Sequence, residues 1–123
     1  MGTIGSHRIR RTLSASSLTG DRVINSAGED LGRIKDIMID LDTGRIAYYV
    51  VSFGGVLGVG DKLFAIPFSS TIVDQQRKAV VLNVPRELLA AAPGFDKDHW
   101  PDFGDPEFGL TIHQHYQQRP YWE

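Results

Sequence analysis

Three groups of side chains have the types and spacing to do chemistry. Asp36, Asp40 and Asp42 stand at even spacings on a stretch that reads as a strand. Even spacing on a strand puts side chains on one face, where carboxylates could hold Mg²⁺ or Ca²⁺. One strand supplies fewer than the roughly six to eight oxygens such ions take, so a solvent-facing strand with a turn aspartate at 42 is the better reading. His113 and His115 form an H-x-H pair that could face one way on a strand and bind Zn²⁺, with His99 or an aspartate as third ligand. That minimum ligand set is not visible, and a polar exposed segment accounts for the pair. Ser52, Ser69 and Ser70 lack the strand-to-helix elbow of a nucleophilic serine. The sequence thus calls for no catalytic residue, no bound metal and no cofactor.

The fourth group is a glycine run, Ser52-Phe53-Gly54-Gly55-Val56-Leu57-Gly58-Val59-Gly60. A phosphate loop needs Gly-Lys-Ser/Thr opening a helix after the second glycine. Here Asp61-Lys62-Leu63 follows Gly60, with an acid in the place of the lysine and a strand pattern in the place of the helix. The run therefore reads as an irregular turn between two strands, with glycine supplying positive φ at low cost.

Composition fits one ordinary domain. The chain has 123 residues, 41% hydrophobic and 23% charged, with a net charge of −2. That is long enough for a real core, and the charge supplies no global field for nucleic acid or anionic membrane. Absence of cysteine rules out disulfides and thiolate chemistry and suits a reducing cytoplasm. No run of about 18 apolar residues exists to span a membrane, and the N-terminus lacks the apolar core of a signal peptide.

The positioning elements follow in order. Residues 1–17 read as a flexible basic tail, with His7, Arg8, Arg10 and Arg11 free of acidic neighbours. Asp21 to Asn25 is a short strand, and Ser26 to Asp30 a polar turn. Leu31 to Leu41 is a strand in which Ile37, Ile39 and Leu41 alternate. The three-residue step from Ile34 to Ile37 predicts a bulge at Lys35 or Asp36. Asp42-Thr43-Gly44 is a hairpin loop with a left-handed glycine. Ile46 to Val51 is apolar on both faces, as in a strand covered on both sides. Phe64, Ile66 and Phe68 share a face of the next strand, which must lie at an edge or end at Pro67. Ile72-Val73 and Ala79 to Leu82 flank a polar turn. Pro85 opens a helix over 85–92, which Pro93-Gly94 stops. Residues 95–123 interleave Phe95, Trp100, Phe103 and Phe108 with acids and have too little aliphatic content for a core of their own. Thr111 to Tyr116 reads as an added strand, and Gln117 to Glu123 as loose.

Four segments carry a resemblance. They are Gly28-Glu29-Asp30-Leu31-Gly32-Arg33-Ile34-Lys35-Asp36, Asp40-Leu41-Asp42-Thr43-Gly44-Arg45-Ile46, Gly54 to Gly60, and Ala65-Ile66-Pro67-Phe68. In this order and spacing they resemble the PRC-barrel family, over roughly residues 16–100. The resemblance implies an all-β fold, a small barrel of about six short strands over residues 18–94, with a short helix and an extended tail. Related domains form the cytoplasmic part of the photosynthetic reaction centre H subunit and the C-terminal half of a ribosome-maturation protein. Stand-alone members are common in bacteria and archaea. The family's theme is docking, and the resemblance brings no catalytic residues with it.

The expectation is a non-enzymatic, cytoplasmic protein-interaction domain, forming a homodimer or higher oligomer and holding a protein partner. Its expected contact surface comprises Phe53, Val56, Leu57 and Val59 of the glycine loop and Phe95, Trp100, Phe103 and Phe108 of the extension. The alternatives are RNA or ribosome association through the basic tail, although nucleic acid is disfavoured by the net charge, and binding of a small ligand or metal.

Overall fold

The structure is a computed structural model that describes residues 10–54 and 62–123. A short helix, α1 (Ala15–Leu18), precedes six strands: β1 (Arg22–Ile24), β2 (Asp30–Asp40), β3 (Arg45–Phe53), β4 (Lys62–Pro67), β5 (Thr71–Asp74) and β6 (Ala79–Leu82). Helix α2 (Arg86–Ala90), strand β7 (Gly94–Phe95) and helix α3 (Pro106–His115) complete the order. Among the described residues all seven strands belong to one sheet, in the order β5-β6-β1-β2-β3-β4-β7. The expected barrel is not closed: among the described residues nothing pairs β5 with the two-residue β7, so the sheet has two ends. Most neighbours are antiparallel, but β1 runs parallel to β6, with Arg22 opposite Ala79 and Ile24 opposite Val81.

The long hairpin β2–β3 is the spine. Its register shifts between Ile34 and Asp36, which places the expected bulge at Lys35. A second shift lies between Met38 and Ile39. Beyond it the predicted alternation fails, for Ile39 is 54% exposed and Leu41 is 92% exposed. Leu41 belongs to the loop and not to the strand. There the Asp40 carboxylate accepts hydrogen bonds from the Thr43 amide (3.2 Å) and hydroxyl (2.6 Å), and Gly44 has φ +74°. At the other end of β2, Gly32 has φ +115°, and a Cβ there would run into the Ser52 carbonyl oxygen and the Val51 side chain.

Strand β3 is buried on both faces, as its sequence predicts: Ala47, Tyr48, Tyr49, Val50 and Val51 are all 4% exposed or less. Around it Val23, Leu31, Ile34, Phe64, Ile66, Val80, Leu82 and Leu89 form the core. Pro67 ends β4, as expected, but Phe68 does not continue its face. It starts a 3-10 turn, Phe68–Ser70, and is 38% exposed.

The segment expected to add a strand at Thr111–Tyr116 lies almost wholly in α3, and this corrects the sequence reading. The start signal is present: the Asp105 side chain accepts from the Glu107 amide (3.0 Å), and Pro106 occupies the first turn. Alternation of Ile112 with polar neighbours imitates a strand, but capping fixes the helix. Nor are residues 117–123 loose. The Tyr121 ring lies 5.7 Å from Tyr48, and the Trp122 ring lies 5.7 Å from His113. Gly109 makes room for this return, since a Cβ there would sit 2.7 Å from Trp122. The extension therefore covers one face of β3. No helix among the described residues is long and apolar enough to cross a membrane.

Candidate interaction surface

The expected contact residues fall into two sets. Val56, Leu57 and Val59 lie outside the described residues. Phe53 ends β3 half-buried, its ring 6.1 Å from Phe64 and under the Arg86 guanidinium at 5.3 Å. The aromatic residues of the extension turn toward one another and the sheet. Phe103 lies 5.5 Å from Tyr48, 5.3 Å from Phe108 and 6.0 Å from both Phe95 and Trp100. Trp100 is the most open of this set at 37% exposure. Edge-on packing of such rings is worth about 0.5–1.5 kcal/mol per pair beyond burial. The cluster therefore fastens the extension to Tyr48, and Trp100 is its outer edge.

The candidate ligands for a metal are dispersed. Because His113 and His115 sit two apart on a helix, their side chains point in different directions. His113 is buried and donates from Nδ1 to the Gly109 carbonyl (2.7 Å), while His115 donates from Nε2 to the Leu88 carbonyl (2.6 Å). His99 is exposed and 3.9 Å from Asp96. The Asp36 carboxylate accepts from the Ile37 amide (2.8 Å), while Asp40 and Asp42 line a cleft of 530 Å³ with Asp105, Glu123, Tyr121 and Trp122. Among the described residues no group of three His, Cys, Asp or Glu comes together to hold a metal. The Ser70 hydroxyl donates to the Pro67 carbonyl (2.7 Å), which occupies it locally.

A group of exposed apolar side chains lies elsewhere, on the other face of β3. Leu13 is 47% exposed, Ile72 is 69% exposed, and Phe68, in the 3-10 turn, is 38% exposed. With Leu18, Ile46 and Tyr49 they line a groove of 390 Å³. Three parts of the chain build its walls over β3. The N-terminal segment brings Leu13, the turn after β4 brings Phe68, and β5, at one end of the sheet, brings Ile72. Arg11 ties the first to the last, donating from Nη2 to the Val73 carbonyl (2.9 Å). Tyr49 forms the floor, its ring 5.6 Å from Phe68. Its hydroxyl is buried without a hydrogen-bond partner. Sequence reading missed this groove because its residues are scattered between Arg11 and Gln75; the one local signal was Ile72 on a four-residue strand beside a polar turn.

Burial raises the pKa of Tyr48, Tyr49 and Tyr116, with Tyr121 adding to the effect at Tyr48. A phenol whose folded pKa is raised by burial leaves stability level with pH below its ordinary value of 10.0, and stability falls as pH climbs from there through the raised value, because the folded state resists the ionisation that the unfolded state undergoes. Stability should thus be level below pH 10.0 with respect to these groups and fall above it. Urea midpoints measured across that range check this, and the fall should be shallower in Tyr48→Phe/Tyr116→Phe.

Comparison with known proteins places the fold. No curated protein matches the chain. Among solved structures it is similar to a putative 16S ribosomal RNA processing protein, RimM, from Pseudomonas aeruginosa. That likeness has 16% identity and a TM-score of 0.42, and it covers 61% of this chain and 45% of the other. The chain thus aligns with less than half of that protein. The PRC-barrel domain profile matches residues 11–89, from Arg11 at the groove through helix α2. With well over half of its length so matched, this chain belongs to the PRC-barrel family.

Proposed function

We propose that the chain is a non-enzymatic docking domain whose groove beside β5 holds an apolar segment of a partner protein. The observation that carries this is the cluster of Leu13, Phe68 and Ile72, exposed by 47%, 38% and 69%, around one 390 Å³ groove. Single exposed apolar residues are ordinary on protein surfaces; a contiguous group around a hollow is the mark of a contact site. Apolar anchors in such hollows supply most of the energy at interfaces. The glycine loop is a second contact region in this reading, and the aromatic cluster serves to hold the extension in place.

The test uses the full chain and Ile72→Asp. Partners are captured from lysate with and without nuclease, identified, and remade from purified proteins. Ile72→Asp should weaken a purified complex at least about tenfold, as expected for a charge set into a contact hollow. Its Tm should stay within a few degrees of wild type, because Ile72 is largely exposed. A complex indifferent to Ile72→Asp overturns the groove assignment. Capture that disappears with nuclease assigns the chain to RNA instead. Concentration-dependent mass of the chain alone, lost in Ile72→Asp, makes the occupant a second copy.

A further inference from the structure

We infer that the segment received by the groove carries a carboxylate next to its apolar side chain. The inference rests on the docking reading above and specifies the chemistry of the partner. Arg11 lies at the junction of two hollows, of 390 Å³ and 330 Å³, that share Ile72, Val73 and Gln75. Its guanidinium donates to two neutral acceptors, the Val73 carbonyl (2.9 Å) and Gln75 Oε1 (3.2 Å). Among the described residues no carboxylate lies within ion-pair distance of it. The single acid lining the two hollows is Asp74. That carboxylate is turned to Arg77, 3.4 Å away, and accepts from the Gln76 and Arg77 amides. Arg11 thus presents an uncompensated cation, with donors to spare, in the middle of an apolar surface.

A segment that fills the groove covers this guanidinium. Covering a cation without an anion leaves it desolvated and unpaired, which is unfavourable; a carboxylate meets the planar fork in a bidentate pair. A neutral segment gains the apolar contacts and loses the hydration of Arg11. A basic segment adds repulsion. Charge at Arg11 therefore selects among apolar partners.

Three acetylated and amidated pentapeptides test this: Ser-Leu-Asp-Leu-Ser and its versions with Asn or Lys at the centre. Each is titrated into the ¹⁵N-labelled full chain, and the amides of Leu13, Ile72 and Val73 are followed. The Asp peptide should shift them and bind about fivefold more tightly than the Asn peptide, near the upper end for a partly exposed ion pair, with the Lys peptide weakest. In Arg11→Gln the Asp and Asn peptides should become equal, and Arg11→Lys should restore part of the difference. Equal binding of the Asp and Asn peptides to the wild-type chain overturns this inference and leaves the docking reading standing. No shift of the groove amides with any peptide overturns both. Stronger shifts of the same amides by a single-stranded RNA oligonucleotide would replace the acidic peptide with a phosphate ligand and overturn the inference as stated.

Discussion

Gly32→Ala should destabilise the chain by about 3–5 kcal/mol, combining backbone strain with a steric clash that has no soft neighbour to relieve it. The φ of +115° at Gly32 is one that a side chain disfavours. The added Cβ would also meet the Ser52 carbonyl oxygen, which is backbone in the central strand β3. Relief would require β2 and β3 to move apart at the end where Arg33 pairs with Ser52. Urea unfolding of Gly32→Ala against wild type measures the loss. Gly28→Ala is the control: Gly28 also has a positive φ, of +82°, but its Cβ would meet nothing within 4 Å. It should lose only the strain, about 1–2 kcal/mol. Equal losses in the two variants would remove the steric part of the argument.

The second large effect is expected at Tyr48. The ring is 1% exposed and touches the rings of Phe103, Phe108, His113 and Tyr121. Tyr48→Ala should cost about 3–5 kcal/mol, the range for deleting a buried aromatic side chain. It should also release the extension, read as faster amide exchange in α3. Tyr48→Phe should behave oppositely. The hydroxyl is buried and has no hydrogen-bond partner, so its removal leaves no group unsatisfied and relieves a desolvation penalty. Wild-type stability or a gain of up to about 1 kcal/mol is expected, and a clear loss would show that the hydroxyl has a partner after all.

These two residues show where the sequence was legible. Strand β3 announced itself through an unbroken apolar run, and the bulge at Lys35 through a three-residue step in an otherwise regular period. Both are local signals, set by the pleat of a strand. The glycine at position 44 was readable for the same reason, since its turn needs a left-handed residue. What covers Tyr48 was not readable in this way. The rings of Phe103, Phe108 and Tyr121 come from three separate parts of the extension, and their meeting is tertiary. Helix α3 was within reach, because Asp105-Pro106-Glu107 is a helix start. The alternation at Thr111 to Tyr116 imitates a strand, and the cap three residues before Phe108 outweighs it. The open sheet was not legible either, because closure depends on how edge strands meet, and neither β5 nor β7 encodes that in its few residues. The groove is the most distributed feature of all, with Leu13, Tyr49, Phe68 and Ile72 drawn from four elements and only Ile72 locally conspicuous.

The parallel pairing of β1 with β6 has a consequence for how the chain is made. Arg22 emerges from synthesis early, but its partner Ala79 follows only after β2, β3, β4 and β5. The β2–β3 hairpin can close as soon as it is translated, whereas β1 must wait with Val23 and Ile24 uncovered on that side. Contacts so distant along the chain close slowly, in the millisecond-to-second range typical of strand-rich domains with non-local pairing. A strand that arrives late completes the first, so a ribosome-bound chain that stops short of residue 82 holds a hairpin and an unfinished edge. In the cell, that interval is when this protein most needs protection from pairing with the wrong strand.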